Sequence, residues 1–383
     1  MSSKSGAKNA GRLSRRTPPR TSPRSPTRSP AVASQTPSSS GPSGPQHVPV
    51  LLHASIEILQ PAPGAVFFDG TFGGGGHARE ILSRITPGGL LLAMDKDPQA
   101  QQRARALADE FGDAFRFVPG NFADSSDPIE ALGRGRAPLD GALLDLGVSS
   151  FQLGTPSRGF SFTLDGPLDM RMDPAEGITA AEVVNRYDEK RLRQLIREYG
   201  DEPWAGPIAA MIVRRRRESP IRTTRELAET IGRAIPRQHW PKRVDPATRT
   251  FQAMRIEVND ELGSLRKGLE EIIRRLKPGG RLGVVSFHSL EDKVVKDFLN
   301  VEAKDCICPP RQPVCTCDHK ASVIIHPPHP QRPGADEVEV NPRSRSARLR
   351  GAIKVDPDTG PTQRQKNDRT KPKYQTRPAG PES

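Results

Sequence analysis

Asp69, Asp95 and Asp145 each close an apolar or nearly apolar run, Ala65–Phe68, Leu90–Met94 and, broken by Asp140, Leu139–Leu144. A carboxylate at the carboxyl end of a buried strand faces the crevice where open α/β sheets take their ligands. Asp69 also begins the most specific stretch of the chain, Asp69-Gly-Thr-Phe-Gly-Gly-Gly-Gly-His77. Four consecutive glycines carry no side-chain bulk, so the backbone can lie against a ligand and take positive φ without strain. A helix starting near His77 aims free N–H groups and a partial positive charge at whatever binds there. Strand, glycines and helix in this order form a nucleotide-cofactor turn. A purely structural tight turn is the alternative.

Asp95 follows Gly75 by 20 residues. A carboxylate at that spacing can accept both hydroxyls of a bound ribose, whether in a dinucleotide or in S-adenosylmethionine. A solvated acid or helix N-cap is the plainer reading. Asp69 can hold the glycine loop or reach a cofactor amino group. His77 would meet a ligand through its backbone N–H. Phe122 follows the third strand, where an adenine ring would lie, and serves equally well as a core aromatic. Asp145, with Gln152, can face a cofactor's amine and carboxylate or the acceptor nucleophile.

The elements that must position these groups alternate. Strands are expected at 65–69, 90–95, 115–118, 139–146 and 281–287, with helices over His77–Arg84, Pro98–Phe111 and Asp127–Leu132. Near-continuous apolar strands separated by helices indicate a parallel, doubly wound sheet covered on both faces. The alternation stops after Ser150. Phe151–Asp173 reads as loop, followed by helices at about Glu189–Tyr199, Ala205–Arg217 and Thr223–Ala234, where Thr223-x-x-Glu226 fits a capping box. This is an inserted helical subdomain. A single long amphipathic helix, 246–276, returns to the sheet, another helix opens at His288–Asp292, and 322–326 and 352–355 complete the sheet as antiparallel strands.

The chain has 383 residues and a formal charge of +13. Residues 1–45 contain eight Lys or Arg and no acid, are rich in Ser and Pro, and cannot bury enough surface to fold. Residues 355–383 make a second polar tail. No apolar run reaches the ~18 residues of a membrane span and no signal-peptide core is present, so a cytoplasmic location is expected. The insertion is basic: Lys190, Arg191, Arg193, Arg197 and Arg214–Arg217 lie on its helices, and Arg233, Arg237, Lys242, Arg243 and, just past its end, Arg249 follow. Such clustering favours phosphate backbones over a merely soluble surface. The few aromatics there, Tyr187, Tyr199, Trp204 and Trp240, do not make a stacking platform. Cys306-x-Cys308 and Cys315-x-Cys317 hold all four cysteines. Zinc prefers two or more residues between paired ligands, so free thiols in a reducing compartment are expected ahead of a four-thiolate knuckle, and no metal site is assigned.

Longer motifs narrow the function. Phe68–His77, Ala93-Met-Asp-Lys-Asp-Pro98, Leu143-Leu-Asp-Leu-Gly-Val-Ser-Ser150, Gly159-Phe-Ser-Phe162, Gly166-Pro-Leu-Asp-Met-Arg-Met-Asp173, Thr248-Arg-Thr-Phe-Gln252, Val258-Asn-Asp-Glu-Leu262, Ser286-Phe-His-Ser-Leu-Glu-Asp292 and Ser346-Ala-Arg-Leu-Arg350 resemble the bacterial ribosomal RNA small-subunit methyltransferase H family from about His47 to Val355. The resemblance implies a class I, Rossmann-like methyltransferase domain over 46–155 and 246–354, with 156–245 as an inserted RNA-recognition subdomain. It implies S-adenosyl-L-methionine as cofactor, 16S ribosomal RNA in the small subunit as partner, and the N4 of cytidine 1402 as target; a homodimer is left open. Carried over by motif, cofactor contacts fall on Gly75, Gly76, His77, Asp95, Phe122, Asp145 and Gln152. The group that orients the amine is expected to be Asp145 or one within Asn259-Asp260-Glu261 or His288-Ser289, with Asn259 and His288 the leading candidates after Asp145. Two departures from generic class I patterns stand out. Thr71 occupies the first glycine position, and Asp145-Leu-Gly-Val replaces the Asp-Pro-Pro-Tyr type of amino-methyltransferases. The rivals are an NAD-dependent oxidoreductase sharing the glycine turn, a zinc base deaminase, whose His-x-Glu spacing His288-x-x-Glu291 does not match, and a non-catalytic RNA-binding protein.

Overall fold

A computed structural model describes residues 49–356, apart from 133–138, 243, 310, 311 and 313. The tail expected over 1–45, most of that over 355–383, and Arg243 lie outside the described residues.

Seven strands form one sheet: β1 (Val66–Asp69), β2 (Leu90–Asp95), β3 (Phe115–Pro119), β4 (Leu139–Asp145), β5 (Leu276–Ser286), β6 (Val323–Ile325) and β7 (Arg348–Lys354). Their order is β3-β2-β1-β4-β5-β7-β6. The first five run parallel, and β7 is antiparallel to both β5 and β6. Successive side chains on a strand point to opposite faces. Phe68, Leu92, Met94 and Leu144 therefore enter one core, and Phe67, Leu91, Ala93 and Leu143 the other. This is why the first four strands read as near-continuous apolar runs, broken at Asp140 of β4 and at the exposed Arg116 of the edge strand β3: most of both faces is shielded from water.

The helices are α1 (Leu52–Leu59), α2 (Gly76–Ile85), α3 (Pro98–Phe111), α4 (Ser126–Glu130), α5 (Ser150–Gly154), α6 (Ala180–Arg186), α7 (Glu189–Gly200), α8 (Ala205–Glu218), α9 (Thr224–Ala234), α10 (Thr248–Asn259), α11 (Glu261–Arg275), α12 (Ser289–Glu302) and α13 (Ala335–Val340). α2 and α3 cover one face of the sheet; α11 and α12 cover the other. A separate apolar cluster gathers Phe160, Val183, Leu192, Ile196, Ile208, Ile212, Leu227 and Ile231 of the intervening segment, and α10 adds Phe251, Ala253 and Met254 to it.

Three local differences from the sequence expectation have clear causes. The helix expected over 246–276 is two helices, because Asp260 takes the left-handed conformation, φ 46°, ψ 47°. Aspartate tolerates that region better than bulkier residues, and the turn leaves Asn259 aimed at the 170–172 loop. β5 begins at Leu276 rather than 281: Leu139 pairs with Leu276, then the register shifts so that Gly141 pairs with Arg281, and Lys277–Gly280 form the bulge. The 151–173 segment, expected as loop, opens with α5, capped by a reciprocal Ser149–Gln152 box.

Candidate active site

The carboxyl ends of β1, β2 and β4 converge on the glycine turn. Gly70 N–H donates to Leu143 O, and Phe72 N–H to Met94 O, so the turn is laced to both neighbouring strands. Gly73 N–H donates to Asp95 Oδ2 at 2.6 Å, and Arg103 Nε returns a bond to Gly73 O at 2.7 Å. Thr71, at the position generic patterns give to glycine, accepts the Asp145 N–H on Oγ1 at 2.5 Å and so ties the turn to the end of β4. The later glycines are required by this chain's own packing. A Cβ on Gly75, φ 78°, would lie 2.7 Å from the Phe72 ring, and one on Gly76 would lie 2.3 Å from Pro49 Cγ. α2 starts here with His77 buried in its first turn.

The electrostatics of this cradle are only partly compensated. Asp69 is buried; its Oδ1 accepts from Thr71 N–H and its Oδ2 has no hydrogen-bond partner among the described residues. Burial, together with Asp95, raises its pKa to about 7. Burial raises that of Asp95, with Asp97 adding to it and the N–H groups of Asp97 and Gly73 opposing it. Asp145 is pushed well above the ordinary carboxyl range by burial and by the charges of Asp69 and Glu291. Its side chain is a quarter exposed, yet Oδ1 is enclosed without a partner. His77 supplies no counter-charge, because burial lowers its pKa to about 4. Arg103 offsets part of the charge of Asp95, but among the described residues no cation acts on Asp69 or Asp145, so the acids together make a site suited to a positively charged ligand.

Phe122, Gln152 and Asn259, also singled out from the sequence, have settled partners, whereas His288 Nε2 is enclosed without a hydrogen-bond partner among the described residues. Phe122 is held between Gly70 and Gly268: a Cβ on either would come within 2.8 Å and 2.4 Å of it. Gln152 donates from Nε2 to Asp97 Oδ2 at 2.9 Å and accepts the Ser149 N–H, so it braces the edge of the cradle. Asn259 is buried and fully used: Oδ1 accepts from Met172 N–H at 2.7 Å, and Nδ2 donates to Met170 O and Arg255 O. His288 caps α12, with Nε2 3.1 Å from Glu291 Oε1 and 4.0 Å from Glu261 Oε2. Burial lowers its pKa, but the two carboxylates outweigh burial and the net shift is upward. Arg255 makes a bidentate pair with Glu261, Nε–Oε1 2.7 Å and Nη2–Oε2 2.9 Å.

Sequence reasoning passed over two parts of this site. Asp97 and Arg158 form a buried ion pair at 2.9 Å, and Arg158 Nη2 also donates to Arg171 O and Met172 O. Glu291 accepts the N–H groups of Phe287 and His288; the Glu three residues past His288 was a readable capping-box signal. At the far edge, Arg348 and Arg350 both grip Asp292, at 2.6 and 2.7 Å, which fixes β7 against α12.

A sheet of this order with an antiparallel seventh strand, carrying an acid-lined glycine turn at the ends of β1, β2 and β4, defines a class I methyltransferase that uses S-adenosylmethionine. Comparison with known proteins agrees. A family profile described as the MraW methylase family matches residues 44–355. The chain is 50% identical over 305 residues, 80% of this chain and 96% of the relative, to "Ribosomal RNA small subunit methyltransferase H" of Syntrophotalea carbinolica. It is 49% identical over 314 residues, 82% of this chain and 100% of the relative, to the protein of that name from Pelobacter propionicus. It is 48% identical over 314 residues, 82% and 95%, to that from Thermomicrobium roseum. The chain belongs to the MraW methylase family. Among the described residues, no helix is long and apolar enough to cross a membrane.

Proposed function

We propose that this chain methylates the exocyclic N4 of a cytosine in 16S ribosomal RNA, cytidine 1402 of the small subunit's decoding centre. The names of its relatives and the long motifs shared with their family support the substrate. The observation that carries the chemistry is the enclosed, unpartnered Oδ1 of Asp145 at the end of β4.

S-adenosylmethionine supplies an activated methyl group on a sulfonium. Asp95 would take its ribose hydroxyls, the 73–75 backbone would lie along its methionine part, and the joint charge of Asp69, Asp95 and Asp145 suits its cationic character. The cytosine N4 lone pair is delocalised into the ring, so the amine is a poor nucleophile. Asp145 can accept one of its N–H bonds and stabilise the positive charge that grows as methyl transfer proceeds. Asn259, by pinning 170–172, and His288, by capping α12 and facing Glu261 of α11, act as positioning residues in this scheme. The base must leave its stack to reach the crevice. The basic helices α7–α9 supply phosphate contacts that hold the RNA while it does so.

Tritiated methyl transfer to small subunits lacking the modification, followed by nuclease mapping, tests the proposal. N4-methylcytidine at that position is expected. A methyl group elsewhere in the RNA, or none, would reject it.

A further inference from the structure

We infer that Cys306, Cys308, Cys315 and Cys317 form a tetrathiolate zinc site between α12 and β6, unconnected with the methyl-transfer chemistry.

The sulfur positions support this. Cys306 Sγ–Cys315 Sγ and Cys315 Sγ–Cys317 Sγ are both 3.5 Å apart, Cys306 Sγ–Cys317 Sγ is 3.8 Å, and Cys308 Sγ–Cys315 Sγ is 3.9 Å. All four sulfurs lie within 4.8 Å of one another. Thiolates about 2.3 Å from a tetrahedral ion stand roughly 3.8 Å apart along each edge. A disulfide needs about 2.05 Å, and all four cysteines are free. Three backbone donors approach the sulfurs: Ile307 N–H to Cys317, Cys308 N–H to Cys306 and Thr316 N–H to Cys308, at 3.4–3.5 Å. Such bonds stabilise metal-bound thiolates and orient them.

The short Cys-x-Cys spacing, which argued against a metal in the sequence, is met by folding the two pairs face to face. The segment also lacks another source of order. None of the described residues between Ala303 and Ala321 is buried, and Ile307 and Val314 are 47% and 69% exposed. A loop with no apolar core of its own gains its structure from cross-links or metal. Zinc fits the all-sulfur tetrahedral donor set better than magnesium, calcium or manganese, which take oxygen. Each thiol gives up its proton as it binds, so uptake releases protons to the buffer.

The test is elemental analysis of the full-length protein purified under reducing conditions, with the Cys315→Ser/Cys317→Ser variant beside it. About one zinc per chain is expected, released on titration of the thiols with a mercurial, and lost in the variant. Cobalt substitution should give the intense visible bands and thiolate charge-transfer absorption of a tetrahedral sulfur site. Circular dichroism and S-adenosylmethionine binding report whether the variant keeps its fold. Four freely reactive thiols with no bound metal would overturn the proposal, as would disulfides in the unreduced chain. Zinc retained in the variant would place the ion elsewhere, with Glu261, His288 and Glu291 the other clustered donors, and would overturn it equally.

Discussion

Asp145 Oδ2 lies 3.5 Å from Nδ1 of His77, across the gap between the end of β4 and the start of α2. Because His77 titrates at about 4, it is neutral near pH 7 and leaves the carboxylate uncompensated. Asp145 is thus held against the cofactor helix with accepting capacity to spare. Replacing Asp145 by Asn keeps the shape and the backbone bond to Thr71 but removes the acceptor's charge. Single-turnover methyl transfer to small subunits should fall by about 10²-fold or more, with the melting temperature nearly unchanged. A variant rate within about threefold of normal would remove Asp145 from the chemistry.

The acids also set a pH dependence for cofactor binding. Asp69 titrates at about 7 in the fold, against an ordinary value of 3.8. Between those values the folded chain holds a proton that the unfolded chain lacks. The stability this contributes is complete below about pH 4 and is lost as pH rises through 7. A cationic ligand favours the ionised carboxylate, so binding must expel the proton. Affinity for S-adenosylmethionine should therefore tighten between about pH 6 and 8. Asp95 and Asp145, both shifted upward, act in the same direction. Calorimetry in buffers of differing ionisation enthalpy reads the released proton directly. A flat affinity across that window, or proton uptake on binding, would contradict this account of the cradle, and Asp69→Asn should weaken the dependence.

The sheet and the three acids were legible because each aspartate ends a mostly apolar run, broken in the fourth strand only by Asp140, as a strand buried on both faces should. The glycine turn was legible in kind, though Gly75 and Gly76 serve contacts with Phe72 and Pro49 that local sequence does not reveal. α5 and α6 carried a usable signal: Ser149-x-x-Gln152 and Thr179-x-x-Glu182 repeat the capping pattern of Thr223-x-x-Glu226. The break at Asp260 carried little, since no Pro marks it; Gly263, at which a Cβ would meet the Asp260 carboxyl at 2.4 Å, looks in the sequence like any glycine within a helix. The Asp97–Arg158 pair was equally hidden. Its partners are 61 residues apart, and nothing local separates Arg158 from the chain's many surface arginines.

That pair gives a stability prediction. Arg158 and Asp97 are 7% and 2% exposed, so removing one leaves a buried charge unpaired. Arg158→Met should destabilise the fold by about 3–5 kcal/mol, and adding Asp97→Asn should recover a good part of the loss. Denaturant unfolding of the two singles and the double measures the coupling. Additive effects would mean that Arg158 stabilises the fold through its bonds to Arg171 O and Met172 O, within the loop, rather than through its ion pair with Asp97 in the β2–α3 turn.

The basic face of the helical segment yields the last prediction. Arg214 and Arg217 are exposed near the C-terminal end of α8, whereas Arg216 is half-buried and donates to Val184 O. If the exposed pair meets phosphate, its contribution is electrostatic and independent of sequence. Arg214→Ala with Arg217→Ala should then weaken binding to small-subunit RNA and flatten the dependence of log affinity on log salt by about 2, one contact each. Affinity for S-adenosylmethionine should not change, because neither arginine contributes to the acid cradle. Arg216→Ala should behave differently, losing thermal stability with little change in salt slope, since its guanidinium supports the α6–α8 packing. An unaltered slope in the double variant would exclude this turn from the RNA contact and shift attention to the exposed Arg193 and Arg197 of α7.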